Sequence, residues 1–170
     1  MRRKLWLGEM AVIILGVFTA MSVAAAETVS EKYRVVYHFF KVERIEVGDV
    51  PGHVIGVADG RGLIFLDTGE VGTELLKIMF DYTNGSGPFQ GYRVDTFQDG
   101  SSRICKGQGT TTALPSGVST FNGTYTYIKG TGRFDGIKGT GSYTGKRMAP
   151  LTPGGPADCY SDAEDEYTLP

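Results

Sequence analysis

The chain is short of the residues that most often announce a function. Among 170 residues it has one tryptophan, Trp6, two histidines, His38 and His53, and two cysteines, Cys105 and Cys159. Two histidines and two distant cysteines, with no CxxC spacing, leave no ligand set for a metal centre. Basic excess is also missing. With 17 basic and 19 acidic residues, the chain lacks the positive surface a nucleic-acid partner requires. No nucleophile or phosphate-loop motif names a reaction, and no cofactor is expected. Charged residues make up 21% and hydrophobic ones 41%, a globular balance that excludes wholesale disorder. Glycine is the exception to this scarcity. There are 25, without a collagen period, which points to turns, bulges and tight β geometry.

Residues 1–26 read as a secretory signal. Arg2, Arg3 and Lys4 form a positive start, Ala11 to Ala20 an apolar stretch, and Ala24-Ala25-Ala26 a small-residue cleavage site before Glu27. The alternative is an uncleaved anchor, against which Thr19, Ser22 and the alanines count. The expectation is an exported protein, periplasmic or secreted, with no stable membrane insertion after cleavage and a single domain over 27–170. Both cysteines lie in the exported part, so a Cys105–Cys159 disulfide is expected. The chain-entropy argument gives such a long loop about 4 kcal/mol.

The remainder reads as β. Tyr33 to Val47 is a valine- and aromatic-rich strand whose apolar parity slips near Phe39-Phe40, a bulge signal. A turn at 49–52 leads to a short strand, HVIGVA. Asp59-Gly60-Arg61-Gly62 reads as a hairpin turn, with GLIFLD as the returning strand. Residues 69–80, GEVGTELLKIMF, are the one helix candidate, with a strand reading in competition. Strands are expected again at 92–98, 101–107 and 119–128, then a glycine-punctuated hairpin. A Pro/Gly-rich connector at 149–157 and a closing strand at 162–169 follow. About eight strands with at most one helix imply an antiparallel barrel or a sandwich, and closure removes exposed edges.

Residues 123–145, GTYTYIKGTGRFDGIKGTGSYTG, hold seven glycines in 23 positions, with Gly-Thr-Gly at 130–132 and at 139–141. A phosphate loop is excluded by context, because no helix pattern follows. With Phe97-Gln98-Asp99-Gly100-Ser101 upstream, the segment resembles the allene oxide cyclase and dirigent-like β-barrel superfamily. The matching residues are Gly123-Thr124, Gly130-Thr131-Gly132-Arg133-Phe134, Gly136 and Gly139. The resemblance implies a single antiparallel eight-stranded barrel with a cavity. It carries no catalytic residue to a matching position here.

Candidate ligand-binding residues are Tyr37, His38, Tyr92, Arg103 and Tyr125: aromatic walls with hydroxyl tips, an imidazole, and a cation able to anchor an acidic group. Each has a plain alternative. Tyrosines are favoured in any strand, and His38 sits among aromatics. Arg93 and Asp95 share a face and read as a solvated cross-strand pair, and the acidic tail from Asp158 to Glu166 as a solvated stretch. The expected function is binding of a small, largely apolar molecule in the barrel. The alternatives are a cyclase or isomerase using a Tyr or Glu in the same cavity, and an interaction module with a filled barrel.

Overall fold

A computed structural model describes residues 27–148 and 158–170. Residues 1–26, expected to be a signal, and 149–157, expected to be a connector, lie outside the described residues. Eight strands run in chain order: β1 (Thr28–Glu46), β2 (His53–Leu66), β3 (Val71–Thr83), β4 (Gly87–Thr96), β5 (Ser102–Ala113), β6 (Ser119–Thr131), β7 (Lys138–Arg147) and β8 (Asp158–Thr168). Each pairs antiparallel with its sequence neighbours, and β8 pairs with β1 to close the barrel. Among the described residues the one helical element is a 3-10 turn, Gly132–Phe134.

Alternation builds the wall. On β1, Tyr33, Val35, Tyr37 and Phe39 point inward while Arg34, Val36, His38 and Phe40 point outward. Two bulges interrupt the ladder. Phe40 is skipped between the Phe39–Gly60 and Lys41–Asp59 pairs, and Ile128 between the Lys129–Ile104 and Tyr127–Cys105 pairs. The first is the bulge that the slip in apolar parity predicts. An extra residue in one strand sharpens the local twist, as a closing sheet requires.

Two expectations fail. The helix candidate at 69–80 is a strand, part of β3, because both faces are already spoken for. Glu74, Ile78 and Phe80 point into the barrel, while Leu75, Lys77 and Met79 face out, a period of two. The hairpin at Asp59-Gly60-Arg61-Gly62 is absent, since β2 runs straight through it. Its glycines serve a packing purpose. A Cβ on Gly62 would stand 2.7 Å from Tyr37 Cβ, and one on Gly60 3.1 Å from the Phe39 ring. Small residues on β2 admit the large inward rings of β1. By contrast, Gly132 and Gly136 have φ of +60° and +75°, so the Gly-Thr-Gly-Arg-Phe segment turns the chain where other residues are strained. The outer face is unusually apolar over β1–β3, where Val36, Val57, Leu63, Phe65, Leu75 and Met79 are exposed.

Candidate functional site

The up-and-down topology divides the interior into two halves. The chain connections 67–70, 97–101 and 132–137 close the lower end; those at 47–52, 84–86 and 114–118 border the upper end. Inward residues near the starts of β1, β5 and β7 belong to the lower half, and those near their ends to the upper.

The lower half is filled by charge. The Arg103 Nε donates to Asp95 Oδ2 at 3.0 Å, and its Nη1 donates to Glu31 Oε2 at 2.6 Å and stands 3.7 Å from Asp165 Oδ2. Arg93 Nε lies 3.1 Å from Asp95 Oδ1 and 3.7 Å from Glu74 Oε2, and its Nη2 donates to Tyr33 Oη at 2.7 Å. The hydroxyls of Tyr125 and Tyr127 donate to Asp165 Oδ2. Aromatic rings seal the network, with the Arg103 guanidinium over Phe97 at 5.2 Å and over Phe134 at 5.6 Å. Burial raises the Glu31 carboxyl above its ordinary range, partly offset by Arg103. Burial also pushes Glu74 up to about 7, against the pull of Arg93.

The upper half is aromatic and partly empty. Tyr37, Phe39, Tyr82, Phe121, Tyr143 and Ile78 surround a cavity of about 70 Å3, measured for the centre of a water molecule. A water needs roughly 10–15 Å3 on that measure, so several waters fit; an aromatic ring, which occupies a cavity of roughly 150 Å3, needs the lining side chains to shift outward. Rings line it edge to face and stacked: Tyr37 and Phe39 lie 5.5 Å apart, Tyr125 and Tyr143 6.3 Å. Polar groups reach it at few points. Tyr82 Oη and Thr111 Oγ1 are hydrogen-bonded at 2.8 Å, and Tyr37 hydrogen-bonds to the Cys159 thiol. Glu74 and Arg93 form the boundary with the lower half, and Arg147, Ser161, Cys105 and Cys159 complete the lining. Arg147 is 7% exposed, and its Nε has no hydrogen-bond partner.

Of the five expected ligand residues, Tyr37, Arg103 and Tyr125 point inward and two do not. His38 is exposed on β1, with Nδ1 2.8 Å from Asp158 Oδ1. Tyr92 is 46% exposed beside Lys106 on the outer wall, although it also borders the upper cavity. Strand parity decides both cases: each is the neighbour of an inward residue, Tyr37 and Arg93. Arg103 is inward, with Nε and Nη1 on protein carboxylates and Nη2 without a hydrogen-bond partner. Arg93 and Asp95, read as a solvated pair, are buried instead, as is Asp165 of the acidic tail. The expected disulfide is not formed. Cys105 projects from β5 and Cys159 from β8, with β6 and β7 between them along the wall. Burial pushes both thiols up to about 11.

Sequence reasoning missed Glu74 and Arg147. Parity carried the signal for the second: Tyr143, Gly145 and Arg147 alternate with outward Thr144 and Lys146. Glu74 was masked by the helix reading.

No family model matches the chain, and no curated protein matches it. Among solved structures it is similar to two pterocarpan synthase dirigent proteins. GePTS1 is 12% identical, with 85% of this chain and 88% of that one covered and a TM-score of 0.49. PsPTS1 is 10% identical, with 84% and 95% covered and a TM-score of 0.46. The fold is the closed eight-stranded barrel that the dirigent-like resemblance implies. The identity of residues in the cavity has to be argued from this chain alone.

Proposed function

We propose that the chain is an exported barrel that binds a small, largely apolar molecule, of about one aromatic ring, in its upper half. The observation that carries the reading is the aromatic cavity itself, bounded below by the charged network and lined by Tyr37, Phe39, Tyr82 and Phe121. A barrel of eight strands either fills its interior or holds one small ligand; here the lower half is filled and the upper half is partly empty, which supports the second. Apolar walls with few convergent polar groups are the usual make-up of a small-molecule site. The pattern of residues 1–26 supports export.

Indole, a neutral ring system, is the direct probe. Titrated into isotopically labelled protein, it is expected to shift the NMR signals of Tyr37, Phe121 and Cys159. Shifts confined to the outer apolar face of β1–β3, or none at millimolar probe, would overturn the reading.

A second reading rests on Glu74. A carboxyl at the cavity boundary, held at about 7 by burial, exchanges protons near neutral pH and suits general acid–base work in a cyclase or isomerase. A Glu74→Gln protein that binds a substrate but no longer converts it would support this reading. Unchanged turnover would remove it.

A further inference from the structure

Three buried arginines line or approach the barrel interior, and one differs from the others. Arg93 and Arg103 each have carboxylates within 4 Å. Arg147, at the last position of β7, has none among the described residues, although it is buried to a similar degree. The neighbouring segment 149–157 contains no Asp or Glu to supply one. Asp158, the nearest acid in sequence, turns outward to His38. Glu74 shares the cavity, but the charges acting on it are those of Arg93, Asp95 and Arg103. Among the described residues, a neutral phenol, Tyr82, itself tied to Thr111, hydrogen-bonds to Arg147. Among the described residues Nε has no hydrogen-bond partner; Arg93 Nε and Arg103 Nη2 lack one too, but on guanidinium groups that face carboxylates.

A guanidinium stays ionised in proteins, and burying it beside neutral groups costs stability unless an anion joins it. We propose that Arg147 is the head-group site of the cavity and that the ligand is a monocarboxylate with a flat apolar body. This deepens the binding function proposed above and rests on it. The planar fork of Arg147 matches a carboxylate through two parallel N–H donors, and the Tyr82 hydroxyl and Ser161 stand in the same lining for the remaining lone pairs. The body of the ligand lies against Tyr37, Phe39 and Phe121. A single guanidinium balances a single negative charge. A phosphate-like dianion would leave surplus negative charge in a cavity that also contains Glu74, so the carboxylate is the better match. In the free protein, the cavity has room for waters to solvate Arg147.

Phenylacetate and its neutral counterpart phenylacetamide separate the charge from the ring. Calorimetric titration of the wild-type protein at neutral pH is expected to give phenylacetate roughly tenfold or greater preference, as befits a charge-assisted pair. Arg147→Met is expected to abolish that preference, so that phenylacetate binds no better than phenylacetamide, and Arg147→Lys to retain part of it. The wild-type comparison needs no variant, and a shift of the Arg147 Nε–H NMR signal on adding phenylacetate locates the contact even if Arg147→Met fails to fold. Equal affinity for the two probes, or a preference that survives Arg147→Met, overturns the anion site and leaves the apolar cavity standing. Failure of both probes to bind overturns the cavity reading and the anion site together.

Discussion

The two halves of the barrel use the same residue type in opposite ways. Below, Arg93 and Arg103 are enclosed by Glu31, Glu74, Asp95 and Asp165, with Tyr33, Tyr125 and Tyr127 taking up further polar atoms. Above, Arg147 is also buried, with no carboxylate beside it among the described residues. Below, the arginines face carboxylates of the protein itself, so charge is matched inside the barrel, although Arg93 Nε, Asp95 Oδ1, Arg103 Nη2 and Asp165 Oδ1 lack hydrogen-bond partners. Above, under the proposed function, a ligand carboxylate supplies the counter-charge that Arg147 lacks among the described residues. Burial of a cation is therefore a poor guide to its role; the count of its anionic partners separates scaffold from site.

The largest effect that tests this contrast is a matched pair of substitutions. Arg103→Met leaves Asp95, Glu31 and Asp165 facing one another without a shared cation. Breaking a buried network in this way typically costs about 3–5 kcal/mol. Arg147→Met removes a cation with no anionic partner and keeps the stem that packs against the rings. It should cost no more than about 1 kcal/mol, and a gain is equally compatible with the argument. Urea midpoints of the two variants decide the matter. Equal losses would mean that Arg147 is as much a structural cation as Arg103, and the contrast between the halves would fall.

The next effect, somewhat smaller, lies at the boundary. Glu74 has its carboxyl raised from 4.5 to about 7, with burial the main cause. Between those values the folded protein keeps a proton there that the unfolded chain releases. The corresponding stabilisation is complete below about pH 4.5 and is lost as the pH climbs through about 7. A shift of that size corresponds to about 3 kcal/mol. His53, raised by its hydrogen bonds to Asp81 and Asp49, acts in the same direction, favouring folding below its ordinary range. Asp49, Asp99 and Asp162 are lowered by their hydrogen bonds and oppose this only in stronger acid, below about 3.8. Stability should therefore peak in mild acid and decline towards pH 8. In Glu74→Gln most of that decline should vanish. A variant with the wild-type pH slope would show that Glu74 is ionised in the folded barrel throughout.

Much of the fold was legible because strands carry a period of two and this chain keeps it. Tyr33 to Phe39 alternate cleanly, the slip at Phe40 marks the bulge, and the glycines at 132 and 136 mark the turn between β6 and β7. What misled was local chemistry overridden by closure. Asp59-Gly60-Arg61-Gly62 has the composition of a hairpin turn, yet its glycines exist to admit Tyr37 and Phe39 from the facing strand. That reason is invisible until the pairing is known. The charged interior was hidden for a similar cause. Arg93 and Asp95 on an alternating strand read as a wet face, because a sequence does not state which of its two faces is inside. Tyr37 could be placed in the cavity from its aromatic surroundings, while His38 and Tyr92, each one residue from an inward side chain, could not be excluded without register.

The smallest expected effect concerns the pair of cysteines that the composition makes look like a staple. Cys105 sits on β5 where the cavity meets the lower half, and Cys159 sits on β8 beside Tyr37. The closed ring of strands already fixes β5 relative to β8, so a bridge is not needed to hold them, and a bridge between them would have to cross the space a ligand occupies. Burial keeps both thiols protonated at neutral pH, at about 11, which makes them slow to oxidise even in an exported protein. Reducing agent should therefore leave the melting temperature unchanged, and alkylation after denaturation without reductant should label two thiols per chain. A drop in melting temperature on reduction, with no thiols labelled beforehand, would mean that the bridge forms, that the upper half is drawn together, and that the cavity beside Arg147 is smaller than the structure has it.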